Sequence, residues 1–399
     1  MIRSRGGSLS APLEDADMLE EILVRLPPQP SSLPRASAVC HRWRGLLTDP
    51  RFLRRFNEHH REPPLLGVFF DDGLKIEFAP VLPAPDRIPP RRLGIKGRLL
   101  GCRHGRVLIL RWEQAEILVC DPITGDQQCV PIPPEFNGGY VNGAVLCAAS
   151  DQSHVHGSCH STPFKVVLLL MCAKDNRPLA SVYSSESDTW GDAISTEVSC
   201  PDCIRAGART LVGKVLYWSF MYAKEGIIGF DFERQSLDVL EGPPGMNSSG
   251  NHQIIQAEDG AVGLAMLSNH YHNIQVWRRK VNCHSGANWV LSKTIEMHKI
   301  LGLAPQFETQ KACLKFMRGY VEDIDGVLLY VKGSVYMVQL KSLQSRKLCE
   351  AHNCITCCHP FQEFRCDRWL FIPGPCIVAV TKSFFILFME YCLLCHHSL

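Results

Sequence analysis

Short apolar runs between about residues 107 and 340 constrain the fold more than any other feature of this sequence. Each run is four to eight residues long and is bounded by Gly, Pro, Asp or Ser, a pattern typical of buried β-strands joined by turns. The runs occupy residues 107–110, 116–120, 165–172, 215–220, 227–232, 263–267, 274–277, 327–331 and 335–340. Because almost no helical periodicity interrupts them, this part of the chain is predicted to be all-β.

Four segments repeat one pattern, in which an apolar run, a polar turn and a second apolar run follow one another. They are "ILVCDPITGDQQCVPIP" (117–133), "ASVYSSESDTWGDAI" (180–194), "IIGFDFERQSLDVL" (227–240) and "VYMVQLKSLQSRKL" (335–348). The first three begin roughly 45 to 65 residues apart, within or just above the spacing of propeller blades. We therefore expect each segment to be the outer hairpin of a blade, preceded by an inner strand.

The first 60 residues have a different pattern, that of short amphipathic helices. Apolar residues in 18–26 recur at helical spacing after Asp15 or Asp17, either of which can cap a helix, and "LPPQP" then ends the helix. A second helix is predicted to begin at Ser32, and a third at Asp49, which a proline follows. The second helix is expected to carry one apolar stripe made up of Ala36, Val39, Cys40, Trp43, Leu46 and Leu47.

Three short helices in about 45 residues are close to the limit of what a chain stabilises alone, so part of their apolar surface is predicted to bind a partner. Cys40 falls on the predicted stripe and His41 points away from it, so the pair is not expected to form a catalytic thiolate. The formal net charge of +2 argues against bulk nucleic-acid binding. A solvated helix face is therefore the interpretation of Arg51, Arg54, Arg55 and Arg61.

Residues 12–56 resemble an F-box, of the variety found in large plant families. The matching motif comprises Ile22-Leu23, Leu26-Pro27, Val39-Cys40, Trp43-Arg44, Asp49-Pro50 and Phe52. In that family the helices insert into the Skp-type adaptor of an SCF ubiquitin ligase. The resemblance implies this adaptor-binding role for Leu13, Ile22, Leu26, Pro27, Val39, Cys40 and Trp43. The usual Leu-Pro entry of the family reads Pro12-Leu13 in this chain.

The β-rich part resembles the F-box-associated, Kelch-like β-propeller regions that follow plant F-boxes. The segments that carry this resemblance are "CDPITG", "VYSSESDTW", "LVGKVLYW" and "FDFERQSLDVL", in that order behind the F-box. The expected fold is an α+β multidomain chain, with a small three-helix F-box followed by an all-β propeller-like domain. The expected divisions are a disordered 1–11, an F-box at 12–58, a propeller at 59–366 and an apolar tail at 367–399. The tail is interpreted as a buried strand, a weak membrane anchor or non-native sequence.

Three clusters of Cys and His raise the alternative of a zinc site: "CPDC" (200–203), "HNCITCCHPFQEFRC" (352–366) and "HVHGSCH" (154–160). None of them forms two clean ligand pairs, and the third lies in a Gly/Ser-rich segment that is interpreted as a mobile loop. No phosphate-binding loop or nucleophile elbow occurs in a fitting context. We therefore expect no metal, no cofactor and no catalytic residues.

The two resemblances together imply a non-enzymatic, substrate-recognition subunit of an SCF-type E3 ubiquitin ligase. Its expected partners are the Skp-type adaptor, the cullin and RING subunits bound through that adaptor, and an unknown target protein. Target specificity is expected in loops such as 149–163 and 242–252. Neither a nucleic acid nor a membrane is an expected partner.

Nineteen cysteines follow an N-terminal stretch that has no apolar leader segment, so they are predicted to be reduced thiols in the cytoplasm and/or nucleus. Two alternatives stay open. The first is a protein- or glycan-binding propeller scaffold that acts without the ligase, and adaptor co-purification would separate it from the ligase subunit. The second is a zinc-binding enzyme or a membrane-tethered variant, which metal analysis and membrane fractionation would test.

Overall fold

The computed structural model divides the chain into two compact units, one helical and one rich in strands. The described residues are 15–71, 76–88, 97–137, 139–149, 154, 156, 159, 162–171, 177–197, 204–220, 226–246, 251–268, 272–282, 286–302, 315–351 and 357–364. The helical unit includes the residues up to 64 and the segment 84–86, and the strand-rich unit comprises 65–83 and 87–363. A helical domain followed by an all-β domain confirms the predicted fold class.

The described part of the helical unit contains four helices. They are α1 (Ala16–Val24), α2 (Ser32–Ser37), α3 (His41–Leu47) and α4 (Pro50–His60). The Asp15 carboxylate caps α1 by accepting hydrogen bonds from the backbone N–H groups of Asp17 and Met18, at 2.9 and 3.3 Å. The Asp49 carboxylate accepts one from the backbone at the start of α4, where Pro50 is the first residue. The structure confirms both predicted helix starts.

The helical unit differs from the predicted three helices because its second helix is interrupted. α2 ends at Ser37 and α3 begins at His41, since Cys40 has an extended backbone with φ −162° and ψ 168°. Val39 and Cys40 therefore lie in the break and not on a continuous helical stripe. The change of direction lets both helices contribute to one apolar core. This core consists of Leu19, Leu23, Val24, Leu26, Leu33, Ala36, Trp43, Leu47, Phe52 and Phe56.

The strand-rich unit contains twenty-four strands and one short helix, α5 (Met297–Leu301), within its described residues. The first twelve strands are β1 (Leu65–Asp71), β2 (Ile76–Pro80), β3 (Arg98–Arg103), β4 (Arg106–Arg111), β5 (Glu116–Cys120), β6 (Gln127–Pro131), β7 (Tyr140–Cys147), β8 (Phe164–Met171), β9 (Pro178–Ser184), β10 (Thr189–Trp190), β11 (Ile194–Ser195) and β12 (Ile204–Val212). The others are β13 (Val215–Phe220), β14 (Gly226–Asp231), β15 (Ser236–Glu241), β16 (His252–Gln256), β17 (Val262–Leu267), β18 (Asn273–Asn282), β19 (Gly286–Glu296), β20 (Lys315–Val321), β21 (Gly326–Val331), β22 (Ser334–Gln339), β23 (Ser345–Glu350) and β24 (Cys357–Gln362).

These strands form six antiparallel sheets in the described part of the chain, and the sheets are the blades of a propeller. Five sheets are built from strands that follow one another in sequence: β3 to β6, β7 to β10 with β11 beside β9, β12 to β15, β16 to β19, and β20 to β23. The sixth has the order β2-β1-β24. The inner strands β3, β7, β12, β16, β20 and β24 each contact the next, and β24 contacts β3, so the ring is closed.

Closure depends on pairing between the first and last strands of this unit. β1 pairs antiparallel with β24, with Phe69 opposite His359 and Phe70 opposite Cys358. β24, which begins at Cys357, is the inner strand of this sheet and completes the ring. The apolar tail at 367–399 lies outside the described residues.

Apolar clusters between neighbouring blades explain why the strand sequences are apolar without alternation. In β8, Val166 and Leu168 pack towards the preceding blade, where they join Leu108. Val167 and Leu169, on the opposite face of β8, pack towards the following blade with Trp218. A sheet that is covered on both faces buries successive side chains, so its strands lack the apolar/polar alternation of a half-exposed sheet.

All nine apolar runs predicted to be strands overlap strands of the structure. The four repeated segments contain the hairpins β5–β6, β9–β10, β14–β15 and β22–β23, each on the outer side of its blade. The outer hairpin β18–β19 did not emerge from the repeat pattern, and its strands are 10 and 11 residues long.

Among the described residues, no helix combines the length and the apolar character needed to cross a membrane.

Candidate functional site

The predicted adaptor-binding residues occupy different environments in the helical unit. Val39 is 49% exposed, and Pro27 and Cys40 are exposed as well. In contrast, Trp43 is only 5% exposed and packs in the apolar core of the unit. Of the remaining predicted residues, Ile22 is half-buried and Leu26 is buried, and Leu13 lies outside the described residues. Trp43 and Leu26 thus support the helices, and Val39, Pro27 and Cys40 are accessible to a partner.

Met18, one of the apolar residues at helical spacing in 18–26, is a further exposed apolar residue. It lies on α1, four residues before Ile22, and is 48% exposed. Residues four apart on a helix share a face, so the exposed Met18 and the half-buried Ile22 lie on the same side of α1. Helical spacing places Met18 among the apolar residues of α1, but only the structure shows that the buried residues of this helix begin at Leu19.

The arginines of α4 include one that links two helices. The Arg55 guanidinium donates to the Glu20 carboxylate at 2.8 Å and also to that of Glu21, joining α4 to α1. Arg51 and Arg54 are exposed. These positions are consistent with a solvated helix face in which one arginine also makes a surface ion pair.

A polar cluster fills the centre of the propeller, where the inner strands meet. The Arg103 guanidinium donates to the Glu322 carboxylate, with Nε 3.0 Å from Oε2, and the backbone N–H of Leu211 donates to Oε1 at 2.8 Å. Arg209 lies beside them, and burial, followed by the neighbouring charge of Arg103, lowers its pKa to about 10. A Cβ added to Gly101 would overlap the Arg209 guanidinium, so a larger residue at this position would have to displace that guanidinium.

Buried thiols near this centre do not have the environment of a nucleophile. Cys357 Sγ lies 2.6 Å from His359 Nε2 on β24. Burial holds the pKa of His359 well below its ordinary value, and the Arg209 charge adds to this effect. Burial also raises the pKa of Cys102 well above its ordinary value. A neutral imidazole does not form the thiolate–imidazolium pair that nucleophilic catalysis needs.

Four metal-ligating side chains meet where β7 ends and the connection to β8 begins. They are Cys147, His154, His156 and Cys159, called here the β7–β8 cluster, and their ligand atoms all lie within 4.8 Å of one another. His154 Nε2 is 3.3 Å from Cys147 Sγ and 3.2 Å from Cys159 Sγ. His156 Nδ1 is 3.5 Å from Cys159 Sγ. Among the described residues, this is the one group of at least three Cys, His, Asp or Glu side chains with metal-site spacing.

The environment of the cluster favours a deprotonated sulfur at Cys147. Hydrogen bonding with Cys159 is the largest cause, and bonds with His156 and Thr162 add to it. Together they lower the pKa of Cys147 to about 3, although burial acts in the opposite direction. A thiolate is the form of cysteine that attacks electrophiles and binds metals. The β7–β8 cluster therefore has the donor chemistry of a metal site.

The segment "HVHGSCH" was predicted to be a loop without a site, whereas the structure brings three of its residues together with Cys147: His154, His156 and Cys159. Cys147 belongs to β7, outside the quoted segment, so the segment by itself contains only one of the two sulfur ligands of the cluster. A cysteine seven residues before His154 was the available signal. "CPDC" (200–203) lies outside the described residues, as does part of 352–366. The prediction that the protein binds no metal stays a prediction at this point.

The specificity loops predicted at 149–163 and 242–252 connect strands of the propeller. The first lies between β7 and β8, and the second lies between β15 and β16. Both are described only in part. The β7–β8 cluster contributes three of its members to the first of these loops.

Family models of known proteins match residues in both the helical and the strand-rich unit. A family model described as "F-box domain" matches residues 15–55, and one described as "F-box protein AT5G49610-like, beta-propeller" matches residues 98–363. No curated protein matches the chain significantly.

Several solved structures are similar to the chain at low identity. The Dos1 propeller has 9% identity and a TM-score of 0.37, over 74% of this chain and 73% of that one. A chain of the nidogen/laminin complex has 11% identity and a TM-score of 0.39, over 74% and 98% of the two chains. A putative 6-phosphogluconolactonase from Bacteroides uniformis has 12% identity and a TM-score of 0.37, over 74% and 99%.

The propeller family model covers more than half of the chain, and an F-box precedes it. This architecture is typical of non-catalytic adaptor proteins with a substrate-receptor role, and F-box domains generally bind Skp-type adaptors. The order of the two matches agrees with the order of the helical and strand-rich units in the structure. The chain therefore belongs to the family of F-box proteins with an AT5G49610-like β-propeller.

Proposed function

We propose that this protein is the target-recognition subunit of an SCF-type E3 ubiquitin ligase. The helical unit binds a Skp-type adaptor, and cullin and RING subunits join through that adaptor. The propeller binds the target protein. The observation that carries the proposal is an F-box with exposed Val39 and Cys40 in the same chain as a closed six-bladed propeller.

The proposed contribution of this chain to the reaction is proximity. A target held by the propeller experiences a high local concentration of the ubiquitin-charged enzyme that the other subunits bring. The catalytic groups belong to those partners. The proposed location is the cytoplasm and/or the nucleus, where exposed thiols such as those of Cys40 and Cys129 stay reduced.

Val39→Asp in the full-length chain tests adaptor docking. Val39 lies in the break between α2 and α3 and is exposed, so the change leaves the helical core intact. A carboxylate buried against an apolar partner costs about 1–3 kcal/mol or more, so adaptor affinity should fall at least about fivefold. Binding to a recombinant Skp-type adaptor by calorimetry measures the effect. Trp43→Ala is a poorer test, because the loss of this core residue would also unfold the helices.

Val281→Asp is the matched control, since it makes the same chemical change at a 72% exposed position on the propeller strand β18. This control should bind the adaptor like the wild type. Captured target should remain bound to the Val39→Asp protein but should no longer be ubiquitinated. Unchanged adaptor binding by Val39→Asp would refute the docking assignment and would favour a propeller scaffold that acts without the ligase.

A further inference from the structure

The distances within the β7–β8 cluster match those between the ligands of one tetrahedral zinc ion. Zinc binds sulfur at about 2.3 Å and histidine nitrogen at about 2.0–2.1 Å, so tetrahedral geometry places these atoms about 3.5 Å apart. Three of the four sulfur–nitrogen distances in the cluster are 3.2, 3.3 and 3.5 Å, and all four ligand atoms lie within 4.8 Å of one another. The cluster already has the dimensions of such a site.

Hydrogen bonding alone accounts poorly for this arrangement. His154 Nε2 lies close to both Cys147 Sγ and Cys159 Sγ, yet an imidazole nitrogen carries only one proton or one lone pair. It can make one good hydrogen bond with the two sulfurs but not two. A cation enclosed by the four side chains would instead interact with both sulfurs and both imidazoles at once.

The types of donor select the metal. Two thiolates and two imidazoles form the Cys₂His₂ set that is common in structural zinc sites. Magnesium and calcium prefer oxygen ligands, and the four members of this cluster offer none through their side chains. Four protein ligands also complete a tetrahedral shell, which is the arrangement of a structural site and leaves no open position for a substrate.

Neighbouring groups hold the cluster in position, two of them from the adjacent blade and one from the β7–β8 connection. The Arg106 guanidinium on β4 donates to the backbone carbonyls of Cys159 and Thr162. The Thr162 hydroxyl lies 3.3 Å from Cys147 Sγ. The ring of His104, which precedes β4, stacks on His156 with 3.8 Å between centroids and 6° between planes. Outer contacts of this kind orient metal ligands and contribute to affinity.

We propose that Cys147, His154, His156 and Cys159 bind one structural Zn²⁺ ion, which cross-links the end of β7 to the loop that leads into β8. The site fixes the shape of a surface loop of the propeller. This loop is among those expected to contact a target, so zinc would control target recognition without taking part in ubiquitin transfer. The proposal replaces the sequence-based expectation that the 154–160 segment is a loop without a site.

Metal analysis of the full-length protein tests the proposal. The protein is produced without a polyhistidine tag, purified under reducing conditions and reconstituted with zinc, and its bound metal is measured by plasma mass spectrometry. We expect one zinc ion per chain. Cys147→Ser and His154→Gln should each lose it. Cys349→Ser is the matched control, because it removes another partly buried cysteine, on β23, and should keep full zinc content.

Cobalt substitution provides a second measurement that does not depend on the folding of the variants. Wild-type protein reconstituted with Co²⁺ should show the visible bands of a tetrahedral site and a thiolate charge-transfer band. Removal of zinc by a chelator should lower the melting temperature, and added zinc should restore it. Adaptor binding through the helical unit should not change, so this test is distinguishable from that of the proposed function.

Three results would overturn the proposal. The first is the absence of stoichiometric zinc and of the cobalt spectrum in reduced wild-type protein. The second is zinc retained at the wild-type level by both Cys147→Ser and His154→Gln. The third is a Cys147–Cys159 disulfide, detected by peptide mass spectrometry in protein prepared from a reducing cytosol, because that bond would consume both sulfur ligands.

Discussion

Phe361→Ala should show how strongly ring closure stabilises the propeller. Phe361 is 1% exposed on β24. Its ring lies edge-on to those of Phe69 on β1 and Phe78 on β2, with centroid distances of 5.7 and 6.3 Å. The residue therefore contacts both other strands of the closing sheet, and its removal leaves a cavity at their junction.

The expected cost follows from these contacts. Truncation of a buried phenylalanine to alanine costs about 3–5 kcal/mol. Two edge-to-face aromatic pairs, each contributing about 0.5–1.5 kcal/mol beyond the area they bury, favour the upper half of that range. A typical protein has a free energy of unfolding of about 5–15 kcal/mol, so this single change should remove about a third or more of it.

Urea unfolding of the full-length protein, followed by fluorescence and circular dichroism, measures the effect. With an m-value of about 3 kcal/mol/M, a loss of about 4 kcal/mol lowers the midpoint by about 1.3 M. Val281→Ala, at an exposed position of β18, is the control and should change the stability by less than about 0.5 kcal/mol. A loss below about 1 kcal/mol for Phe361→Ala would show that β24 does not close the ring.

Three further predictions concern the centre of the propeller, pH and the tail. Gly101→Ala should lower the free energy of unfolding by about 1–3 kcal/mol in the same urea assay, because the new methyl group displaces the Arg209 guanidinium. Gly45→Ala is the control: a Cβ added there meets no atom within 4 Å, so the protein should not be destabilised. Burial lowers the pKa of His359 in the folded state, so the unfolded state binds the proton first. The free energy of unfolding should therefore fall as the pH decreases below about 6.5, by up to about 1.4 kcal/mol per pH unit. His359→Gln should reduce this slope, and an unchanged slope would contradict the assignment. Deletion of 369–399 should leave adaptor binding and the urea midpoint unchanged and raise solubility, whereas a lower midpoint would mean that the tail packs on the propeller.

The sequence by itself determined the features that depend on neighbouring residues. The nine apolar runs became strands because apolar segments of this length between turn residues bury well in a covered sheet. Asp15 and Asp49 cap helices because a carboxylate just before a helix accepts hydrogen bonds from the first free N–H groups. The order of F-box and propeller was also visible in the motifs.

Only the tertiary structure decided the features that depend on residues distant in sequence or on the direction of a short segment. Helical spacing predicted one continuous helix through Val39 and Cys40, but the helix is interrupted at these residues so that α2 and α3 pack on one core. The burial of Trp43 likewise depends on all four helices.

The same holds for ring closure and for the β7–β8 cluster. The pairing of β1 with β24 joins strands from the two ends of the propeller sequence, and no local pattern specifies which strand completes the ring. Cys147 belongs to a strand whereas its three companions belong to the following loop. Arg106 of the neighbouring blade donates to the backbone carbonyls of Cys159 and Thr162 and so contributes to the position of the loop. Local patterns specify the elements of this fold, and long-range packing brings together the side chains that can bind a metal.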